Sequence, residues 1–394
     1  MTATRPSTEI AFVAQPSSDR PWGIYVHVPW CRSRCAYCAF YVEVDRDTPW
    51  DTYVEKVIEE YHFRKSEFPG QPATLFLGGG TPSRMPPDAL RRLLLGFDLD
   101  PSAEISVEAN PEDIDDEWLE TAISSGIHRV SLGMQTLDAR FARLLNRSCS
   151  VQDAARTLYR VAQAGFVSWS VDLMFGLPSQ TVDDLDADLD RLLAAAPPHV
   201  SLYGLTIEEG TPFERARDRG SIIPVDDDQW RIMYDHIVSR LRAAGFERYE
   251  VSNFAQPGHR SRHNTLYWTD HPYLGLGPSA HGYTPSGRRW RNVPDVRRYL
   301  LTSDPTHESE SPEPRQRAID LLVSSLRTVD GVSLKRLRET TWLEIPESFT
   351  EPWVRAGVLR HADDRITLTD EGMPLADGLA ARLSDGLRDL ARIL

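Results

Sequence analysis

Residues 31–38, with the sequence CRSRCAYC, carry the strongest chemical signal in the chain. Cys31, Cys35 and Cys38 follow the spacing C-x3-C-x2-C, which places three thiolates on one face of a short loop. Iron favours soft sulfur ligands, so three cysteines can hold three corners of a cubane 4Fe-4S cluster. The fourth iron has no protein ligand and can be chelated by the amino and carboxylate groups of S-adenosylmethionine. The loop therefore predicts a 4Fe-4S cluster and S-adenosylmethionine as cofactors.

Two other interpretations of the cysteine loop stay open. A disulfide is disfavoured because three clustered cysteines cannot all pair and because no signal-peptide pattern is evident. A structural zinc site would need a fourth ligand. His27 or the distant Cys149 could supply it, although zinc sites usually use paired sets of ligands.

The composition indicates a protein with a large hydrophobic core. The chain has 394 residues, of which 41% are hydrophobic, enough for two or three domains. No apolar run is long enough to span a membrane, so we expect a cytoplasmic protein, although docking on a membrane surface stays open. The net charge of -14 argues against broad electrostatic binding of nucleic acid.

Short apolar runs alternate with helix-like stretches in the first half of the chain. The predicted strands are 23–28, 74–77, 104–108, 130–133, 168–173 and 200–205. The predicted helices are 53–65, 89–95, 117–125, 154–164 and 185–195. This alternation implies an α/β fold with a parallel sheet curled into a partial (β/α) barrel, with its chemistry at the carboxyl ends of the strands.

Glycines and polar residues stand where these predicted strands end. Gly79 and Gly80 follow the second strand, and Glu108 ends the third. Gln135 follows the fourth strand, and Asp172 lies within the fifth. Glycines let backbone carbonyls approach an ammonium group, and polar side chains at strand ends can bond a cofactor. The alternatives are a plain tight turn at the glycines, and caps or barrel-layer residues at the other positions.

Several longer strings carry a family resemblance. In chain order they are YVHVPWCRSRCAYCAF, GGGTPS, VEANP, RVSLGMQT, VDLMFGLPSQT and SLYGLTIEEGTPF. Together they resemble the radical SAM family that contains oxygen-independent coproporphyrinogen III oxidase and the HemW heme chaperones. The resemblance covers residues 20–300, and a winged-helix-like region completes it. It implies that the three cysteines hold a 4Fe-4S cluster.

The resemblance also implies roles for residues around the cluster. Tyr25, six positions before the first cysteine, would lie at the cofactor. By the same match, the residues that would surround S-adenosylmethionine are Gly79, Gly80, Thr81, Glu108, Gln135, Arg147 and Asp172. Arg147 could equally be a surface ion-pair partner. Cys149 stands where a histidine is expected, and its role stays open.

Two features indicate the HemW branch rather than the oxidase branch. The oxidase branch has a fourth cysteine two positions after the third, where this chain has Phe40. The string RHNTLYW at 262–268 matches HNxxYW, which resembles the heme-binding signature of HemW proteins. By this match His263 is the leading heme contact, because a histidine can be an axial ligand of heme iron.

Other readings of this region stay open. His281, in GLGPSAHGY, is a second candidate for the heme iron. Arg260 and Arg262 are candidates to pair with the heme propionates. The alternative for the whole motif is an amphipathic loop packed under the barrel, with a histidine whose nitrogens are bonded inside the protein.

The chain divides into five segments by pattern and composition. They are a flexible tail at 1–20, the radical SAM barrel at 21–210, a barrel extension with the HNxxYW motif at 211–301, a linker at 302–317 and a winged-helix-like domain at 318–394. DNA binding by the last segment is disfavoured, because residues 311–394 hold 12 basic and 14 acidic residues. A lid or docking module is the preferred interpretation.

These observations predict a cytoplasmic heme chaperone. It would bind a 4Fe-4S cluster, S-adenosylmethionine and heme, and would transfer heme to acceptor proteins that the sequence does not identify. The alternative is the oxidase activity, an oxidative decarboxylation of coproporphyrinogen III, which Phe40 and the HNxxYW string disfavour. A non-catalytic regulator that uses the winged-helix-like region is a weaker third hypothesis.

Overall fold

The structure is a computed structural model that describes residues 20–44 and 47–390. The predicted tail at 1–20 lies, except for Arg20, outside the described residues. Within them, no helix combines the length and the apolar character that crossing a bilayer requires.

Strands and helices alternate through the first half of the described chain. The strands β1–β17 are, in order, Gly23–Val28, Thr74–Gly79, Glu104–Ala109, Arg129–Gln135, Ser168–Phe175, His199–Gly204, Glu247–Arg248, Asn253–Ala255, Tyr273–Leu276, His281–Tyr283, Arg289–Asn292, Thr306–Glu310, Val332–Ser333, Leu343–Glu344, Leu359–Ala362, Arg365–Leu368 and Arg388–Asp389. The helices α1–α14 are Trp50–Arg64, Pro87–Leu95, Asp116–Ser124, Ala139–Leu144, Val151–Gln163, Val182–Ala194, Pro212–Asp218, Asp227–Ala243, Arg262–Trp268, Val296–Leu301, Pro314–Leu326, Leu334–Thr341, Glu347–Arg355 and Ala376–Asp385.

The first twelve strands form one sheet, in the order β12-β11-β10-β9-β1-β2-β3-β4-β5-β6-β8-β7. From β9 through β1 to β6 all neighbours are parallel, and the strands at both edges are antiparallel. The edge strands β7 and β12 do not pair with each other in the described chain, so the sheet is open. The predicted α/β class with a partial barrel is confirmed. Parallel strands buried on both faces are near-continuous apolar runs, which is why the sequence reveals them.

Helix α6 illustrates how the barrel helices begin. The Thr181 side chain accepts a bond from the backbone N–H of Asp184, and the Asp184 carboxylate accepts one from the backbone N–H of Thr181 at 2.9 Å. After this capping box, Leu185, Leu189 and Leu192 are buried at helical spacing. The polar capping turn precedes the apolar pattern, so α6 begins three residues earlier than predicted.

Residues 302–317, predicted to be a linker, contain regular structure instead. Strand β12 spans Thr306–Glu310 and pairs with β11, and α11 begins at Pro314. All residues of β12 after the first are exposed. An exposed edge strand with polar residues on both faces has no apolar alternation that identifies it in a sequence.

A second hydrophobic core lies in residues 318–387. Helices α11, α12 and α14 contribute to it, and the antiparallel pair β15–β16 lies beside β13. This is the predicted winged-helix-like domain. Ion pairs join it to the barrel: Arg336 lies 2.6 Å from Asp270, and Arg248 lies 2.6 Å from Asp370.

A buried ion pair fastens α1 to the antiparallel end of the sheet. Arg64 Nε lies 2.8 Å from Glu60 Oε1, and the two side chains are 2% and 0% exposed. Glu60 also accepts hydrogen bonds from Asn292 and from the Tyr299 hydroxyl, each at 2.8 Å. Arg64 donates to Thr306 at 3.0 Å. The ion pair therefore positions β11 and β12 at the antiparallel end of the sheet.

We predict that Arg64→Met lowers the free energy of unfolding by about 3 kcal/mol, because it leaves the Glu60 carboxylate buried without its cation. Urea unfolding of the purified protein measures the change. Arg156→Met is the matched control, since Arg156 is 76% exposed, and it should change stability by less than about 0.5 kcal/mol. Equal stability of the wild type and Arg64→Met would contradict this role.

Candidate functional site

The carboxyl ends of β1–β6 open into a pocket of about 620 Å³, which we call the cysteine pocket. The predicted site residues that line it are Cys31, Cys35, Cys38, Gly79, Gly80, Thr81, Glu108, Gln135, Arg147 and Asp172. The other two predicted site residues, Tyr25 and His263, do not line it.

The cysteine loop is fixed by backbone hydrogen bonds to more distant segments. The N–H of Cys31 donates to the carbonyl of Glu43 at 2.9 Å, and the N–H of Ala36 donates to the carbonyl of Leu145 at 3.1 Å. The loop lacks regular structure of its own, so these bonds and its position after β1 determine where the thiols lie.

The three thiols are partly buried beside hydrogen-bond donors. Thr81 Oγ1 lies 3.4 Å from Cys31 Sγ, and Arg147 Nη1 lies 3.6 Å from Cys35 Sγ. Burial raises the pKa of Cys31 to about 11 and also raises the pKa of Cys38. A cationic metal core beside Cys31 and Cys38 would favour their thiolate forms. Three soft sulfur ligands in one pocket fit an iron–sulfur cluster.

The structure places neither of the two alternative zinc ligands in the cysteine pocket. All four cysteines are free thiols. Neither His27 nor Cys149 lines the cysteine pocket: His27 Nε2 lies 2.8 Å from the carbonyl of Tyr41, and Cys149 donates to the carbonyl of Ser150 at 3.4 Å. Among the described residues, no group of three or more His, Cys, Asp or Glu is arranged to hold a single metal ion.

Gly79 and Gly80 pack closely against the end of β1. Gly79 has a φ of +108°, and a Cβ there would lie 2.5 Å from Nδ1 of His27. A Cβ on Gly80 would lie 2.7 Å from the carbonyl of Pro29. The N–H of Gly79 donates to Glu108 Oε2 at 3.0 Å. Close packing alone therefore requires glycine at both positions. The same packing brings Gly79 and Gly80 to the base of the cysteine loop.

Two carboxyl groups line the pocket from β3 and β5. Asp172 accepts hydrogen bonds from the hydroxyls of Ser131 at 2.9 Å and Ser170 at 3.3 Å. Burial raises the pKa of Asp172 to about 6, and burial together with the nearby Asp172 raises the pKa of Glu108 to about 8. A cation offsets the cost of ionising such groups, so this wall suits an ammonium or sulfonium ligand.

Gln135 and Arg147 lie near the end of β4. Gln135 has a φ of +66° where the register between β4 and β5 shifts, a conformation that a non-glycine residue rarely adopts. Arg147 donates to Asn110 Oδ1 at 2.9 Å and to the carbonyl of Gly133 at 2.7 Å. Arg147 is thus held inside the pocket by neutral acceptors, and the alternative of a surface ion pair does not apply.

A second cavity, also of about 620 Å³, adjoins the cysteine pocket, and we call it the aromatic cavity. Ala39 and Phe40 line both cavities. Tyr25, predicted to lie at the cofactor, lines the aromatic cavity rather than the cysteine pocket. Tyr267 and Trp268 of the HNxxYW motif also line the aromatic cavity.

His263 is buried and does not line the aromatic cavity. Its Nδ1 lies 2.7 Å from Thr74 Oγ1, and its Nε2 lies 2.7 Å from the Tyr267 hydroxyl. Burial lowers the pKa of His263 to about 3. The structure therefore does not present His263 to either cavity, because both of its nitrogens are bonded inside the protein. The residue supports Tyr267 instead.

The two arginines predicted to pair with propionates lie outside both cavities. Arg260 pairs with Glu247 at 3.4 Å and with Asp330 at 3.9 Å, and Arg262 donates to the carbonyl of Ser102 at 2.8 Å. Their position beside the HNxxYW motif in the sequence suggested a contact with the heme propionates. In the structure, both side chains bond other groups of the protein instead.

Sequence reasoning missed the arginines that do line the aromatic cavity. They are Arg289, Arg291 and Arg317. The first two flank Trp290 in β11, and the alternation R-W-R places both guanidinium groups on one face of the strand. This period of two was the available signal.

Two family profiles match the chain. The Radical SAM superfamily matches residues 25–192, and the HemN C-terminal domain matches residues 313–375. The first covers most of β1, all of β2–β5 and most of α6, and the second covers much of the winged-helix-like domain.

Relatives match along most of the chain. The heme chaperone HemW of Lactococcus lactis is 31% identical over 371 residues, covering 92% of this chain and 97% of the relative. The heme chaperone HemW of Mycobacterium tuberculosis is 34% identical over 382 residues, covering 93% and 96%. Among solved structures, coproporphyrinogen III oxidase HemN from Escherichia coli has a TM-score of 0.80 at 21% identity, covering 94% of this chain and 91% of the oxidase. That likeness confirms the fold.

We predict that Glu108→Gln stabilises the ligand-free protein at alkaline pH. The folded-state pKa of about 8 lies above the ordinary value of 4.5, so folding binds a proton and the wild type loses stability as pH rises from 4.5 to 8. The variant cannot ionise, so its advantage should grow over this range to on the order of a few kcal/mol.

Urea unfolding between pH 4.5 and pH 8.5 measures this difference. Glu117→Gln is the control, because Glu117 is exposed. A constant difference between wild type and Glu108→Gln across this range would contradict the assignment.

Proposed function

Because the chain belongs to the radical SAM superfamily and, within it, to the family of the HemW proteins, we propose that it is a heme chaperone. It binds heme and passes it to acceptor proteins. The observation that carries the proposal is the length of the similarity, which extends far beyond the superfamily barrel in relatives named heme chaperone HemW.

We propose that Cys31, Cys35 and Cys38 hold a 4Fe-4S cluster and that the cysteine pocket holds S-adenosylmethionine. When bound, the cluster supplies electrons, and S-adenosylmethionine supplies a sulfonium whose carbon–sulfur bond an electron can cleave. The guanidinium of Arg147 beside Cys35 offsets the negative charge of thiolate sulfur. Membership of the superfamily and the sulfur donor set support this assignment.

The other residues of the cysteine pocket suit the charges of S-adenosylmethionine. Glu108 and Asp172 ionise most easily when a cation lies beside them, and the sulfonium and the ammonium are both cations. The residues that would border its methionyl part are Gly79, Gly80 and Thr81. Gln135 lies on the same pocket wall and offers an amide to its polar groups.

Phe40 favours the chaperone over the oxidase. It occupies the position of the fourth cysteine of the oxidase branch, and it is 68% exposed between the two cavities. An exposed phenyl ring offers an apolar face to a porphyrin and no thiol chemistry. The fold shared with the oxidase does not decide between the chaperone and the oxidase functions, since one fold hosts many functions.

The winged-helix-like domain is proposed as a docking module for acceptors in the cytoplasm. Residues 311–394, which include this domain, hold 12 basic and 14 acidic residues, a balance that disfavours binding to DNA. Heme-accepting proteins are therefore the expected partners.

Two parallel assays on the anaerobically reconstituted protein test the proposed function. The chaperone should bind hemin and transfer it to an apo-b-type heme protein faster than hemin dissociates into apomyoglobin, a sink that needs no contact. It should not convert coproporphyrinogen III. Conversion of that substrate with release of carbon dioxide would establish the oxidase, and failure to bind hemin would exclude the chaperone.

Replacing each loop cysteine should remove the cluster. We predict that Cys31→Ala, Cys35→Ala and Cys38→Ala each lose most iron and labile sulfide after reconstitution, because a cubane needs three protein sulfurs here. Cys149→Ala is the matched control and should retain both, since Cys149 does not line the cysteine pocket. Iron and sulfide analysis with EPR spectroscopy checks this. Full cluster content in any of the three loop variants contradicts it.

A further inference from the structure

We propose that heme binds in the aromatic cavity, with the imidazole of His281 as a ligand of its iron and with Arg291 and Arg317 beside its carboxylates. This inference rests on the proposed function, which names heme, and it adds where heme lies and which residues hold it. It moves the iron contact from His263, which is buried behind Tyr267, to a histidine on the cavity wall.

One wall of the aromatic cavity consists of side chains from β9, β10 and β11 that lie on the same face of the sheet. His281 on β10 lies opposite Arg291 on β11, and Tyr283 lies opposite Arg289. Tyr283 also pairs with Tyr273 on β9. Every second side chain of a strand faces the same way, and these five residues all line the cavity. The wall thus presents an imidazole, two phenols and two guanidinium groups.

Of the three histidines that line the cavity, His281 is the one with both ring nitrogens unengaged among the described residues. It is exposed on β10, and in the described part of the chain no hydrogen bond or ion pair engages its nitrogens. In contrast, both nitrogens of His27 are bonded, Nε2 to the carbonyl of Tyr41 at 2.8 Å and Nδ1 to the Tyr25 hydroxyl at 3.1 Å. In His271, Nδ1 is bonded to the hydroxyl of Thr269 at 2.8 Å. Partial desolvation in the cavity lowers the pKa of His281 below its ordinary value, so its neutral ring can donate a lone pair to iron.

The arginines of the cavity differ in whether they are already neutralised. Arg289 pairs with Glu310 at 2.9 Å and with Asp320 at 2.7 Å. Neither Arg291 nor Arg317 has a carboxylate within ion-pair distance among the described residues, and Arg291 Nε is buried without a hydrogen-bond partner. An anionic ligand would satisfy that donor. Two unpaired guanidinium groups match the two carboxylates of heme.

The remaining walls suit a flat, apolar macrocycle. Tyr267 and Trp268 come from α9, Leu321 comes from α11, and the exposed ring of Phe40 lies at the border with the cysteine pocket. The volume of about 620 Å³ falls in the range of roughly 300–1,000 Å³ that is typical of cofactor sites. Aromatic walls, cationic groups and one free imidazole together identify a metalloporphyrin that carries carboxylates.

Titration of the reconstituted protein with hemin and with iron-free protoporphyrin IX tests this assignment. His281→Ala should weaken hemin binding by roughly tenfold or more and shift the Soret band, because an iron ligand is lost. Its affinity for protoporphyrin IX should not change. Arg291→Gln should weaken binding of both porphyrins. His307→Ala is the matched control, an exposed histidine of β12 outside the cavity, and should alter neither.

Added imidazole should return the Soret band of hemin-loaded His281→Ala towards that of the wild type. Wild-type affinity and spectrum in His281→Ala, with loss in His263→Ala, would overturn the inference and return the iron to the HNxxYW motif. The proposed function would survive that result, because the wild type would still bind hemin. If the wild type binds no hemin at all, both proposals fail.

Discussion

Parallel pairing of β1 with β2 on one side and with β9 on the other is the constraint on which both cavities depend. At its carboxyl end β1 continues into the cysteine loop. The strands on the β2 side of β1 bring Gly79, Gly80 and Glu108 to the cysteine pocket. The β9 side leads into β10 and β11, which wall the aromatic cavity. A single central strand therefore places the two cavities side by side, with Ala39 and Phe40 between them.

Different charged groups line the two cavities, and they support the assignment of one proposed ligand to each. The acidic groups of the cysteine pocket include Glu108 and Asp172, which suit the positive sulfonium and ammonium of S-adenosylmethionine. The aromatic cavity has Arg291 and Arg317, which suit the negative carboxylates of heme. Size alone would not separate them, since both cavities measure about 620 Å³.

The sequence predicts those features of the site that depend on neighbouring residues in the chain. It does not predict the features that depend on contacts between residues far apart in the sequence. The cysteine loop, Glu108 and Asp172 could be placed because apolar runs locate the strands and the chemistry follows their ends. His263 could not, because the hydroxyl of Thr74, 189 residues earlier, occupies one of its nitrogens. Strand β12 was missed because it is exposed, polar and paired only at an edge.

Together the two proposals place a cluster and a heme in adjoining cavities of one chain, with Ala39 and Phe40 between them. Anomalous diffraction at the iron edge, from crystals of the reconstituted protein loaded with hemin, tests this arrangement most directly. We expect two iron positions, one at the three loop cysteines and one in the aromatic cavity beside His281. A heme iron found outside that cavity, or iron at only one of the two positions, would contradict it.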